Sequence, residues 1–213
     1  RGVWYTPEAI VKFMVQAVDE ILISEFDIKD GLDDTSKVKI KKDKLKLDKG
    51  SKSKSLIADS SLRDREVHKV QILDPATGTG TFLAEIVKFI HQKKYKNLEG
   101  LWNSYVERDL IPRLHGFELL MAPYSIAHVK LARQLKETGY KSENNTRFKV
   151  FLTNSLEEFD KEQPNLFTQL TEESILANKV KRDIPVMCVI GNPPYSGISS
   201  NNSEWISNLI EDY

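Results

Sequence analysis

The chain has 213 residues, 40% of them hydrophobic, and its 31 Lys+Arg balance 31 Asp+Glu to a net charge of zero. That apolar content suffices for a core and excludes wholesale disorder, while the neutral balance excludes a bulk polycation that coats nucleic acid or an acidic membrane. No run reaches the roughly 18 apolar residues of a membrane span, the N-terminus lacks a signal-like pattern, and the lone Cys188 offers no internal disulfide or cysteine metal cluster. The expectation is a cytoplasmic α/β protein. Because the chain begins at Arg1 and stops at Tyr213, soon after its most informative motif, it reads as a piece of a longer protein.

Thr6-Pro7 opens the first predicted helix, with a hydroxyl able to cap and a proline whose missing N–H costs nothing there. Ile10, Phe13, Met14, Ala17, Val18, Ile21 and Leu22 follow at helical spacing and predict the face that packs inward. Residues 1–24 form this first unit. Residues 25–66 differ in kind: nine lysines face two aspartates between Lys37 and Lys54, a local charge of +7 that leaves −7 for the rest. Val38/Ile40 and Leu45/Leu47 alternate with lysine at period two and predict an exposed hairpin, followed by a Ser/Lys-rich loop. Such a loop is a solvated insertion, or a contact to DNA phosphates.

From residue 67 onward strands and helices alternate. Strands are predicted at Val70–Leu73, Leu114–Phe117, Phe148–Leu152 and Val186–Ile190, the last wholly apolar and so buried on both faces. Helices are predicted through Phe82–Ile90, from Pro123 with Ile126, Val129, Leu131 and Leu135, near Phe167–Lys181, and around Trp205, Leu209 and Ile210. This alternation implies a mostly parallel sheet with helices on both faces.

Three motifs fall at the carboxyl ends of those strands, where open parallel sheets bind ligands. Asp74-Pro75-Ala76-Thr77-Gly78-Thr79-Gly80-Thr81-Phe82 follows the first, with small residues that admit a ligand to the backbone ahead of a helix N-terminus. It is not a Walker loop, since no Lys-Ser/Thr follows the glycines, and Leu83 stands where a dinucleotide fingerprint has its third glycine. Glu118 ends the second strand, where a carboxylate can accept from both ribose hydroxyls of a nucleoside. Gly191-Asn192-Pro193-Pro194-Tyr195 follows the fourth; its prolines fix the backbone so that the Asn192 carboxamide and the Pro193 carbonyl converge beside an aromatic ring. Two acceptors and a stacking face suit a planar heterocycle with an exocyclic amine. His68, His91, His115 and His128 show no metal-ligand spacing with one another or with Cys188, and no metal site is expected.

Taken together, these motifs resemble the Rossmann-like, S-adenosylmethionine-dependent N6-adenine DNA methyltransferases. Asp74-Pro75-Ala76-x-Gly78-x-Gly80-x-Phe82 is similar to their cofactor motif, Asn192-Pro193-Pro194-Tyr195 to their catalytic motif, and Tyr5-Thr6-Pro7 to the segment preceding the cofactor motif in the gamma arrangement. Gly2–Pro7, Gln71–Gly80 and His115–Glu118 look most like the methylase region of large single-chain restriction–modification enzymes. The resemblance implies a core over 67–213 that lacks the family's later strands. It further implies that Asp74, Pro75, Ala76, Thr77, Gly78 and Gly80 shape the pocket for the methionine part of the cofactor. Thr6 would bind its carboxylate, Glu118 its ribose, and Asn154 would stand near its adenine. Asn192 and Pro193 would accept from the N6 amine of an adenine flipped from double-stranded DNA, with Pro194 fixing the turn and Tyr195 stacking on the base. Flanking nuclease, translocase and target-recognition parts are implied as partners, and a membrane is not. Three rival readings are a protein-glutamine methyltransferase, which meets a similar amide-nitrogen problem, a nicotinamide dehydrogenase, and a non-catalytic cofactor- or DNA-binding module.

Overall fold

The computed structural model describes residues 6–40, 65–141, 147–156, 173, 176–181 and 184–194. Tyr195, the Leu45/Leu47 arm, the Trp205–Ile210 helix and most of the helix expected near Phe167–Lys181 lie outside the described residues; 176–181 are helical.

Helix α1 (Glu8–Ser24) begins directly after Pro7, without a side-chain cap from Thr6. Its inward face is Val11, Val15, Asp19 and Leu22, rotated from the predicted stripe, which leaves Phe13 69% exposed and Ile10 and Ile21 about half exposed. Two apolar faces compete on this helix, and polar bonding decides between them. Asp19 accepts from the Leu32 backbone N–H at 2.8 Å and from Lys93 Nζ at 3.0 Å, and these bonds require it to face inward. Gly31 serves the same contact: it is left-handed at φ 61°, and a Cβ there would collide with the Asp19 carboxylate.

Strand β1 (Lys37–Ile40) pairs antiparallel with β2 (Arg65–His68), so its partner among the described residues comes after the lysine-rich segment in sequence. This register sets Lys39 opposite Glu66, a favourable charge pairing across strands. Below the hairpin, His68 Nε2 lies 3.0 Å from buried Asp109 Oδ1.

Strands β3 (Ile72–Asp74), β4 (Leu114–Glu118), β5 (Lys149–Leu152) and β6 (Cys188–Val189) form one parallel sheet in the order β5-β4-β3-β6. Helices α2 (Thr81–Ile90), α3 (Glu99–Tyr105) and α4 (Met121–Glu137) provide the main cover. Ile72, Leu114, Val150, Cys188 and Ile190 join the core formed with α1, α2, α3 and α4. Leu73, Phe117 and Phe151 meet Ala177 and Val180 in a second, smaller cluster. Alternate residues of the strands thus enter different clusters, as pleating dictates, and the Rossmann-like layering expected from the sequence holds.

Two predicted faces differ. Val189 is 65% exposed, so β6, which borders only β3 among the described residues, is not buried on both sides there. In α4, Ala127, Leu131 and Leu135 point inward while Ile126 and Val129 are exposed. Trp102 and Tyr105 are core: Tyr95 and Tyr105 stack with centroids 4.6 Å apart, and Trp102 Nε1 donates to Thr138 Oγ1 at 3.0 Å. Among the described residues, no helix is long and apolar enough to cross a membrane.

The two faces of α1 give a direct test. Val11→Ala, at a position with 0% exposure, is expected to lower unfolding free energy by about 1–3 kcal/mol, while Phe13→Ala changes it by no more than about 0.5 kcal/mol. Urea denaturation of both variants measures the difference, and the opposite ranking would restore the predicted stripe.

Candidate functional site

Chain order explains where a ligand site can form. From β3 the chain runs outward through β4 to β5, and β6 then returns to the other side of β3. The carboxyl ends of β3 and β6 therefore flank a topological switch point, where loops diverge and leave a crevice. Asp74 ends β3, and Gly191-Asn192 follow β6.

Asp74 is fully buried. Its Oδ1 accepts from the Ala76 backbone N–H at 3.1 Å, and its Oδ2 has no hydrogen-bond partner among the described residues. Burial, reinforced by the negative charge of Glu118, raises its carboxyl to a pKa of about 7 against the opposing Ala76 hydrogen bond. The neighbouring loop is closed by Thr77, whose Oγ1 donates to the Asp74 carbonyl at 3.1 Å and whose N–H donates to the Phe117 carbonyl at 2.9 Å. Gly78 and Gly80 are both left-handed, at φ 54° and 80°, a conformation glycine adopts without steric cost. Gly80 also lets α2 start against α4, since a Cβ would stand 3.2 Å from the Ala127 Cα.

Glu118 bridges two loops. Its Oε2 accepts from the Gly78 N–H at 2.7 Å and its Oε1 from the Leu120 N–H at 2.8 Å. Each oxygen keeps a second lone pair, so the carboxylate that shapes the loop retains capacity for hydroxyl donors. Asn154 follows β5; its Oδ1 accepts from the Leu156 N–H at 3.1 Å, and Lys181 Nζ donates to its backbone carbonyl at 2.6 Å. Ser155 Oγ donates to the Pro75 carbonyl and ties this loop to the first.

Asn192 is half-buried, Pro193 and Pro194 are exposed, and Tyr195 lies outside the described residues. The Asn192 amide nitrogen donates to Thr6 Oγ1 at 3.0 Å across 186 residues of sequence. Thr6 also lines a cleft of about 480 Å³ between the starts of α1 and α2 and the flank of α4, with Thr79, Thr81, Glu85, Lys88 and Lys130 among its walls. There, Lys130 donates to Thr81 Oγ1 at 2.8 Å, and burial lowers its pKa.

The structure thus brings Thr6, Asp74, Pro75, Ala76, Thr77, Gly78, Gly80, Glu118, Asn154 and Asn192 to one edge of the sheet. Sequence reasoning placed Gly191 and Gly116 within motifs but gave neither a role of its own. A Cβ at Gly116 would come within 2.5 Å of Thr77 Oγ1, and one at Gly191 within 2.5 Å of Asp74 Oδ1. Gly116 stands in the middle of β4 and Gly191 just past β6, and a glycine at such a place is the one hint that a close approach was required. The four histidines are structural: His68 meets Asp109, His115 meets Gln71, His128 meets the Val150 carbonyl, and His91 lies against Trp102. No group able to hold a metal occurs among the described residues.

These features define a Rossmann-like α/β fold with a ligand edge assembled from three distant segments. No protein-family model matches the sequence, and no curated protein does. Solved structures do match. The ATP-dependent Type ISP restriction–modification enzyme LlaBIII bound to DNA is 23% identical with a TM-score of 0.64, over 94% of this chain and 11% of that one. A nuclease-deletion mutant of the Type ISP enzyme LlaGI with a DNA substrate mimic is 24% identical, TM-score 0.63, over 91% of this chain and 13% of that one. A DrdV–DNA complex seen by cryo-EM is 28% identical, TM-score 0.62, over 99% of this chain and 17% of that one. The fold is therefore one that Type ISP restriction–modification enzymes carry within a much longer chain.

The Asp74 carboxyl makes stability pH-dependent. Below its ordinary value of 3.8 the group is protonated in both folded and unfolded chains and contributes nothing. As pH rises the unfolded chain ionises first, so the folded state loses stability until about pH 7, where Asp74 ionises in place. Asp74→Asn is expected to remove on the order of 2 kcal/mol of the stability lost between about pH 5 and about pH 8. Urea unfolding of both chains at the two pH values measures this, and equal losses would mean that Asp74 is not the group responsible.

Proposed function

We propose that this chain is the modification part of a larger restriction–modification enzyme, in the gamma arrangement, and directs methyl transfer from S-adenosylmethionine to the N6 amine of adenine in DNA. The observation that carries this reading is the meeting of Thr6, the Asp74–Gly80 loop and Asn192 at one switch point, with Thr6 and Asn192 in direct hydrogen bond. The fold's similarity to parts of enzymes captured on DNA supports a DNA substrate. Nuclease, translocase and target-recognition parts then belong to the remainder of the longer chain.

The residues present fit the cofactor. Glu118 offers acceptor capacity to a ribose, and the buried Asp74 Oδ2, without a hydrogen-bond partner among the described residues, suits a cation such as the ammonium of a methionine moiety. Gly78 and Gly80 present bare backbone at two left-handed positions of the loop, and Asn154 holds the next strand's loop alongside. When bound, the cofactor supplies an electrophilic methyl group on a sulfonium.

The chain's own residues must then make a poor nucleophile react. The exocyclic nitrogen of adenine is weak because its lone pair delocalises into the ring. The Asn192 carboxamide oxygen and the Pro193 carbonyl accept from its two hydrogens, favour a more tetrahedral nitrogen, and stabilise the positive charge that grows on it. Gly191, seated on Asp74, and the two prolines hold these acceptors at fixed positions, so the remaining contribution is alignment. The base must leave the duplex at a cost of a few kcal/mol, part of which a stack on Tyr195 offsets.

Calorimetry on the full-length parent is expected to show binding of S-adenosylmethionine but not of NAD, and Glu118→Ala is expected to weaken it by about 10- to 100-fold. Asn192→Ala should reduce methylation of DNA by at least about 100-fold with cofactor affinity preserved. Equal loss of binding and transfer would make Asn192 structural, and absent cofactor binding by a folded parent would remove the methyltransferase reading.

A further inference from the structure

Helix α1 carries more apolar surface than the core takes up. Val11, Val15 and Leu22 face inward, and Met14 and Val18, at the edge of that face, still pack against the core. Ile10, Phe13 and Ile21 continue round the helix and stand exposed, with half-buried Ala17 between them. Steps of three, four and four residues set these four side chains within about 80° of one another on a helix of about 3.6 residues per turn. Exposed apolar residues scattered singly are ordinary, but a run of this spacing is what a helix presents to a partner.

Charge narrows what can cover it. Helix α1 holds Glu8, Asp19 and Glu20 against Lys12, Lys12 is bound to Glu8 at 2.7 Å, and the last turn has no basic residue. A helix that lies on an anionic membrane needs lysine or arginine along its polar face, and one that lies on DNA needs them for phosphates, so neither surface fits. An apolar protein surface does. In the solved structures that share this fold, the matched part makes up only 11–17% of one chain. The rest of such a chain is covalently tethered, and a tether supplies effective concentrations on the order of millimolar, at which modest apolar contacts hold.

We propose that the outer stripe of α1, formed by Ile10, Phe13, Ala17 and Ile21, is an interface within the parent chain, covered by an apolar face of the polypeptide outside residues 1–213. This rests on the reading of the chain as part of a larger restriction–modification enzyme. The seat lies close to the ligand edge in sequence: α1 starts directly after Pro7, and Thr6, just before it, is bonded to Asn192. The part that covers α1 therefore rests on the helix that leads into that edge. The 213-residue chain by itself lacks this partner, which is why Phe13→Ala costs it little.

The test uses the full-length parent with Phe13→p-benzoylphenylalanine, a photo-crosslinking residue that keeps the aromatic ring and bonds to whatever C–H lies against it on illumination. Within a single parent molecule the bond is expected to form to a residue outside 1–213, which peptide mass spectrometry identifies. A product of doubled mass would assign the stripe to a second copy, and a bond to another residue of 1–213, or no bond at all, would leave the stripe without an outside partner. Each of these outcomes overturns the proposal. A second measurement separates seating from mere proximity. With the photo-crosslinker moved to position 21, Phe13→Glu puts a charge into the proposed interface and is expected to lower the yield of the same cross-link at least about tenfold; an unchanged yield overturns the proposal as well. Activity is read separately. A parent that neither binds S-adenosylmethionine nor methylates DNA removes the methyltransferase function whatever the cross-link shows, and an active parent without the cross-link removes only the interface.

Discussion

Between the ends of β3 and β6 there is room for the Asp74 carboxylate or for a side chain at residue 191, and not for both. Gly191 yields, and the loop after β6 can then settle directly onto the buried acid. The same contact deprives Asp74 of solvent, which is why its carboxyl holds a proton to about pH 7. It also fixes the point from which Asn192 and the two prolines project. Gly116 repeats the solution on the other side of β3, where Thr77 Oγ1 occupies the place of its missing side chain. Two glycines therefore let three strand ends close around one acid and one hydroxyl, and every proposed ligand contact is measured from that frame.

Glu118 adds a second constraint of opposite character. Where Asp74 is starved of partners, Glu118 accepts from the Gly78 and Leu120 amides, so its charge is supported by backbone dipoles before any ligand arrives. Two carboxylates at one edge, one short of donors and one supplied with them, are suited to different tasks.

Much of this edge was legible in the residues alone, because the chemistry sits in short contiguous strings: Asp74–Phe82, Asn192–Tyr195 and a carboxylate closing an apolar strand. The parallel sheet was legible from the alternation of strands and helices. What could not be read were demands made by distant residues. Nothing near Gly191 in sequence announces Asp74, and nothing near Asn192 announces Thr6. Helix α1 was misread for a related reason. Hydrophobic periodicity picked out one stripe, whereas the inward face was chosen by polar bonds that Leu32 and Lys93 donate to Asp19. The pairing of β1 with β2 was not legible, because a local pattern looks to the nearest similar pattern, whereas register here places Ile40 opposite Arg65, on the far side of the lysine-rich segment in sequence.

That last pairing has a consequence for how such a domain can change. Ile40 and Arg65, the residues on either side of 41–64 in sequence, stand opposite each other on one hairpin, whose root is tied to the core by His68 and Asp109. A segment tethered at adjacent points perturbs the core little whatever its content, and doubling its length costs only about 0.6 kcal/mol in closure entropy. The hairpin is in effect a socket. Sequence can be lengthened, shortened or recharged there during evolution while the ligand edge, built from the far ends of other strands, is left undisturbed.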